Sequence, residues 1–131
     1  MYLFLDNSQE GELSFVIVYN EKKIRIFVWR GKKAERGPLF CFDELLQKKA
    51  VSFEKIRGLG ARVGVGRFTA TRVATVFANT LGYFLKKPVV GLSVFDPGEF
   101  LAKIKNSKPG VYVSAKYSAE ANIGKVKETV I

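Results

Sequence analysis

The chain contains no histidine, and that absence removes a large part of enzyme chemistry. Imidazole acid–base catalysis, the usual nucleophile–histidine pairs and histidine-ligated zinc all need a residue this sequence does not have. Cysteine occurs once, at Cys41, so neither an internal disulfide nor a cysteine metal cluster can form. Its place in the apolar run Leu39-Phe40-Cys41-Phe42 reads as a buried structural thiol. No apolar run approaches the ~20 residues of a membrane-spanning helix. The opening Met1-Tyr2-Leu3-Phe4-Leu5-Asp6 has no basic leader and soon meets a charge, which is not the pattern of a secretory signal. These absences point to a reducing, cytoplasmic setting without membrane attachment. Carboxylates are scarce too: 12 Asp and Glu stand against 22 Lys and Arg, for a net charge of +10.

What is present suffices for one packed core. A chain of 131 residues, 47% of them hydrophobic, can bury roughly two-thirds of its unfolded surface. Its cations are dispersed, as Lys22-Lys23, Lys32-Lys33, Lys48-Lys49, Lys86-Lys87 and the trio Lys103, Lys105 and Lys108. A solvated general surface explains them, and so does attraction to nucleic acid or an acidic partner. Charge alone does not choose.

Periodicity gives the order of elements. Residues 2–5 are continuously apolar and end at the turn signal Asp6-Asn7-Ser8. Residues 13–19 and 24–29 alternate β-branched and aromatic side chains around Asn20-Glu21, so three strands form an antiparallel meander. A polar, basic connection over 31–38 leads to a helix opened by Pro38 and running to about Lys49, with Lys48 and Lys49 at its negative end. A strand ending in glycines, a helix of about eighteen residues and another strand follow through Ser93. The order βββαβαβ implies a mixed sheet with a right-handed crossover, an RNase H-like α/β fold equivalent to half of an actin-type ATPase. A short helix over 99–105 and a final strand over 111–117 complete the chain, giving residues 1–95 as one domain and 96–131 as a short extension.

The long helix has two apolar faces. Val73, Phe77, Thr80 and Phe84, flanked by Val76 and Leu81, are expected to cover the sheet. Ala70, Ala74, Ala78, Leu81 and Leu85 form a second, smaller face, where alanines four residues apart let another helix approach closely. Either the first helix of the same chain fills that groove or a partner does. In front of this helix, Gly64 and Gly66 permit a tight turn, or cradle a phosphate with Arg67 and Arg72 adding charge. Thr69 is the natural N-cap. Arg72, near a positive helix end, calls for an anion, either Asp6 or an outside group.

The string Gly64-Val65-Gly66-Arg67-Phe68-Thr69-Ala70-Thr71-Arg72 resembles the G-P-G-S-F-T-G-L-R turn of the TsaB (YeaZ) family, non-catalytic glycoprotease-like proteins. Other segments resemble that family in the same order: Leu3-Phe4-Leu5-Asp6-Asn7-Ser8, Pro38 through Leu46, Ser52 through Ile56, and Lys87-Pro88-Val89-Val90-Gly91-Leu92-Ser93. Arg67, Val65 and Ala70 depart from the family's Ser, Pro and Gly. Where the family carries a second domain of about a hundred residues only residues 96–131 stand here, their part Tyr117 through Lys125 resembling a family tail, so the resemblance implies a reduced form lacking most of that domain. The resemblance implies a subunit without catalytic residues, metal or cofactor, supporting a TsaD-type enzyme that makes threonylcarbamoyladenosine in tRNA. It implies a helix-bundle interface with that enzyme or a second copy, through Leu45, Lys49, Ala70, Ala74, Ala78 and Leu81, with tRNA contacted weakly or indirectly. The rival reading is an RNase H-like nuclease or a nucleotide-binding ATPase fragment. A nuclease needs carboxylates gathered around metal ions, and Asp6 and Glu44 are the candidates.

Overall fold

The computed structural model describes residues 1–114 except Val65 and Arg67, and the backbone alone of Phe68. Three strands, β1 (Tyr2–Asp6), β2 (Glu12–Asn20) and β3 (Lys23–Arg30), form the expected antiparallel meander. β4 (Leu59–Arg62) and β5 (Val89–Leu92) add in parallel on the other side of β1, giving a five-stranded mixed sheet of order β3-β2-β1-β4-β5. The period-two pattern gives the sheet two apolar faces. Leu3 and Leu5 of β1, with Phe15 and Ile17 of β2, belong to the larger core; Phe4, Val16 and Val18 belong to the smaller.

Two helices cover the larger face. α2 (Pro38–Gln47) starts at its proline and ends where Lys49 turns into the left-handed region, φ 60°. It follows a short helix, α1 (Lys32–Glu35), that the polar connection had concealed. α3 (Phe68–Leu85) has the expected eighteen residues, but of the residues expected to cover the sheet only Phe77 and the flanking Leu81 pack on the core, and the small face does the rest. Ala70, Ala74, Ala78 and Leu81 are buried, and Ala74, Ala78 and Leu81 join Leu59, Ala61 and Val89 of the sheet in one core. Gly82, one turn after Ala78, shows how close the approach is: a Cβ there would run into Val89 and crowd the Lys87 carbonyl oxygen. The bulk at this contact comes from the sheet, so the helix contributes its small side. Val73, Val76 and Phe84, expected to cover the sheet, are instead exposed. Thr69 lies inside the first turn of α3, not before it, so it is not the N-cap.

α4 (Pro97–Lys105), capped by the Asp96 carboxylate accepting from the Glu99 backbone N–H at 2.8 Å, lies on the opposite face. Its Phe100 and Ile104 pack with Phe4, Val90 and Leu92, so this part of the extension shares the core of the sheet. Residues 111–114 are not a strand; Val113 instead exchanges two hydrogen bonds with the Asn79 side chain on α3. The remainder of the strand expected over 111–117 falls outside the described residues.

Candidate functional site

Two places in the fold could carry function, and the first is the end of the parallel strands. β1 delivers Asp6, β4 delivers Arg62 and β5 leads to Ser93. One Asp6 oxygen accepts from the Ser8 backbone N–H at 2.9 Å and from the Ser8 hydroxyl at 2.6 Å. The other accepts from Arg62 Nη1 at 3.2 Å, and Arg62 Nε donates to the Ser93 carbonyl at 2.8 Å. Asp6 thus caps its own turn and pairs with a base, as a lone carboxylate at a strand end should. That base is Arg62, a residue the sequence reading passed over; its place as the last residue of β4, parallel to β1, was the available signal.

The glycine turn packs against this pair. Gly66 has φ 83°, and a Cβ on it would sit 2.6 Å from the Ser8 Cβ and carbonyl oxygen. Gly64 also adopts a positive φ, 81°. Both glycines therefore serve the tight strand-to-helix connection. Of the other residues expected at an anion-binding turn, Thr69 is exposed on the first turn of α3, Arg72 lines a groove on the outer side of that helix, and Arg67 lies outside the described residues. Glu44, the second candidate metal carboxylate, accepts from the Trp29 indole N–H at 2.7 Å on the helix-covered face. Asp6 and Glu44 are not brought together, and among the described residues no group of three Asp, Glu, Cys or His could hold a metal ion.

The second place is the groove between α2 and α3. The residues expected to meet a partner lie on these two helices and just after α2. Leu45, Ala70, Ala74, Ala78 and Leu81, expected to meet a partner, face the core; only Lys49 of that set is exposed. The outward residues are Leu39 at 71% exposure, Val73 at 41%, Val76 at 58% and Phe84 at 72%. With Phe42, Leu46, Phe53, Phe77 and Thr80 they line an open cavity of about 850 Å³, with Asp43 and Arg72 on its wall. Aromatic rings join it to the core: Phe15 meets Phe77 at 5.9 Å and Phe42 at 6.1 Å, Phe42 meets Phe53 at 5.7 Å, and Phe53 meets Phe84 at 6.4 Å. An apolar strip of this kind on a helix pair fits a helix-in-groove contact. Cys41, beneath it, is fully buried, and burial, followed by the Glu44 charge, pushes its thiol from 9.0 up to about 11. It is a packing residue, inert as a nucleophile. Among the described residues no helix is long and apolar enough to cross a membrane.

No protein-family model matches the chain, and no curated protein matches it significantly. Solved structures do. YeaZ from Pseudomonas aeruginosa is similar with a TM-score of 0.59 and 23% identity, over 70% of this chain and 44% of that one. A structure described as an uncharacterized protein with similarity to peptidase YEAZ from Pseudomonas aeruginosa gives 0.57 and 24%, over 71% and 44%. At these identities the likeness is one of fold: the chain has the mixed-sheet architecture of the YeaZ structures and spans less than half of their length.

Proposed function

We propose that the chain is a non-catalytic subunit that supports a TsaD-type enzyme in forming threonylcarbamoyladenosine on tRNA, docking through the α2–α3 groove. The observation that carries the reading is that exposed apolar cleft, set on a fold shared with YeaZ. The strand-end crevice, where a phosphate-handling relative would work, is occupied by the Asp6–Arg62 pair, which favours a binding role over a catalytic one. The helix pair is the one the sequence resemblance implies, with Leu39, Val73, Val76 and Phe84 replacing the alanine face as the contact residues.

The test is co-purification. A tagged chain expressed with the TsaD-type protein of the same organism should recover it in stoichiometric amounts, and Val76→Glu should weaken that complex about a hundredfold by placing a carboxylate in an apolar contact. The isolated chain should cleave no RNA and hydrolyse no ATP with Mg²⁺ present. Failure to recover the enzyme, with the wild-type chain folded, sinks the subunit reading. Self-association abolished by Val76→Glu would make the groove a contact between two copies instead.

A further inference from the structure

At the other end of the sheet from the glycine turn is a second cavity, of about 810 Å³. It opens beside Tyr19 near the end of β2, Arg25 near the start of β3 and Lys49 just after α2, where a single 3₁₀ turn (Phe53–Lys55) leads through Arg57 to β4. The lining is of two kinds. Arg25, Lys49, Lys55 and Arg57 supply four cations against one carboxylate, Glu54; Tyr19 and Phe53 supply aromatic wall. None of the four cations has a carboxylate partner within 4.0 Å among the described residues. Arg25 instead rests over the Phe27 ring at 4.9 Å. The concentration of charge is felt locally: the Met1 ammonium, which donates to the Lys55 carbonyl at 3.1 Å, is held below its ordinary 8.0 by burial and then by Arg57 and Lys55.

A cluster of like charges left unpaired is unfavourable on its own and favourable once polyanion enters, because each phosphate neutralised releases a counterion. A carboxylate-rich peptide would satisfy the charges alone and leave open the part of Phe53 that its contacts with Phe42 and Phe84 do not cover, 42% of the residue. A nucleic-acid strand uses both, laying bases on aromatic faces while its phosphates meet the cations. We infer that this cavity binds a single-stranded nucleic-acid segment, with Arg25, Lys55 and Arg57 contacting its phosphates and Phe53 stacking on one base. The site is independent of the subunit reading. It shares Leu46 and Phe53 with the α2–α3 groove, so the cation triple Arg25, Lys55 and Arg57, none of which lines that groove, separates the two sites, and its test needs no partner.

The experiment uses the whole isolated chain and a fluorescein-labelled mixed-sequence oligoribonucleotide of about 12 nucleotides, followed by anisotropy across a salt series. The triple variant Arg25→Gln, Lys55→Gln, Arg57→Gln should lose at least tenfold in affinity, and the slope of log affinity against log salt should flatten by about 2. A second triple, Lys32→Gln, Lys33→Gln, Lys105→Gln, removes the same charge on α1 and α4 and should cost under threefold. Phe53→Leu, which keeps apolar bulk and removes the ring, should weaken binding about fivefold or more, with circular dichroism confirming the fold. Equal losses in the two triples would reduce the effect to net charge and overturn the proposal. So would unchanged binding by Phe53→Leu, competition by polyglutamate as effective as by polyuridylate, or competition by a free mononucleotide at the same nucleotide concentration.

Discussion

Ala74→Glu and Val76→Glu put the same carboxylate two residues apart on α3 with opposite consequences. Ala74 has no exposed surface and sits in the core shared with β4 and β5, whereas Val76 is 58% exposed on the outer face. A carboxyl at 74 avoids ionising in the fold but ionises when the chain unfolds. Keeping it protonated costs about 1.4 kcal/mol for every pH unit above about 4.3, so about 3.7 kcal/mol at pH 7. The extra volume in a contact tight enough to require Gly82 one turn on adds about 1–3 kcal/mol. Together these approach the whole stability of a typical domain, about 5–15 kcal/mol. Ala74→Glu should therefore be largely unfolded or close to it at pH 7 by circular dichroism and urea titration. The sign of the pH effect is fixed: folded and unfolded states both carry the proton below about pH 4.3, so the deficit against wild type shrinks as pH falls and only the packing cost remains. Val76→Glu should stay within about 0.5 kcal/mol of wild type. A folded, near-wild-type Ala74→Glu, or an unfolded Val76→Glu, would refute the assignment of the two faces.

Gly82→Ala should lower stability by about 1–2 kcal/mol, the collision with Val89 outweighing the helix-propensity gain of about 1 kcal/mol; a raised melting temperature would show that α3 does not need the glycine. The raised Cys41 thiol stabilises the fold below the unfolded thiol's value near 9.0, and that contribution is lost as pH climbs toward about 11, by about 1.4 kcal/mol per pH unit. Stability measured across pH 8.5–10.5 should consequently fall more steeply for wild type than for Cys41→Ala, and parallel curves would count against the burial argument.

The meander, both parallel strands and the two main helices were legible because each rests on local signals: alternation in β2, Pro38 at the start of α2, the glycines before α3. β1 read only as a continuous apolar run, and its division between two cores appeared with the helices on both faces of the sheet. The orientation of α3 was not legible. A helical wheel ranks faces by apolar bulk, but a helix seated on a sheet that carries Leu59 and Val89 can present its small side and leave its large residues outside. Only the depth of the sheet's own side chains decides this, and that depth is a tertiary quantity. The Asp6–Arg62 pair was half visible: Asp6 was expected to find a base, but choosing Arg62 over Arg72 required knowing that β1 and β4 lie side by side, with Leu5 opposite Ala61. The cations of the second cavity come from four separate segments, and no linear pattern assembles them.

The small inner face of α3 has a cost that depends on supply. Because alanines meet the sheet, Val76 and Phe84, and Leu39 from α2, stay in water in any copy of the chain that lacks a cover. A covered copy is stabilised by mass action, in proportion to the logarithm of the cover's concentration. An uncovered copy has only its own core and a sticky strip beside it. If the groove is covered as proposed, surplus chain would be the fraction that unfolds, self-associates or is degraded first, and the amount of protein would follow the amount of its cover without any dedicated regulator.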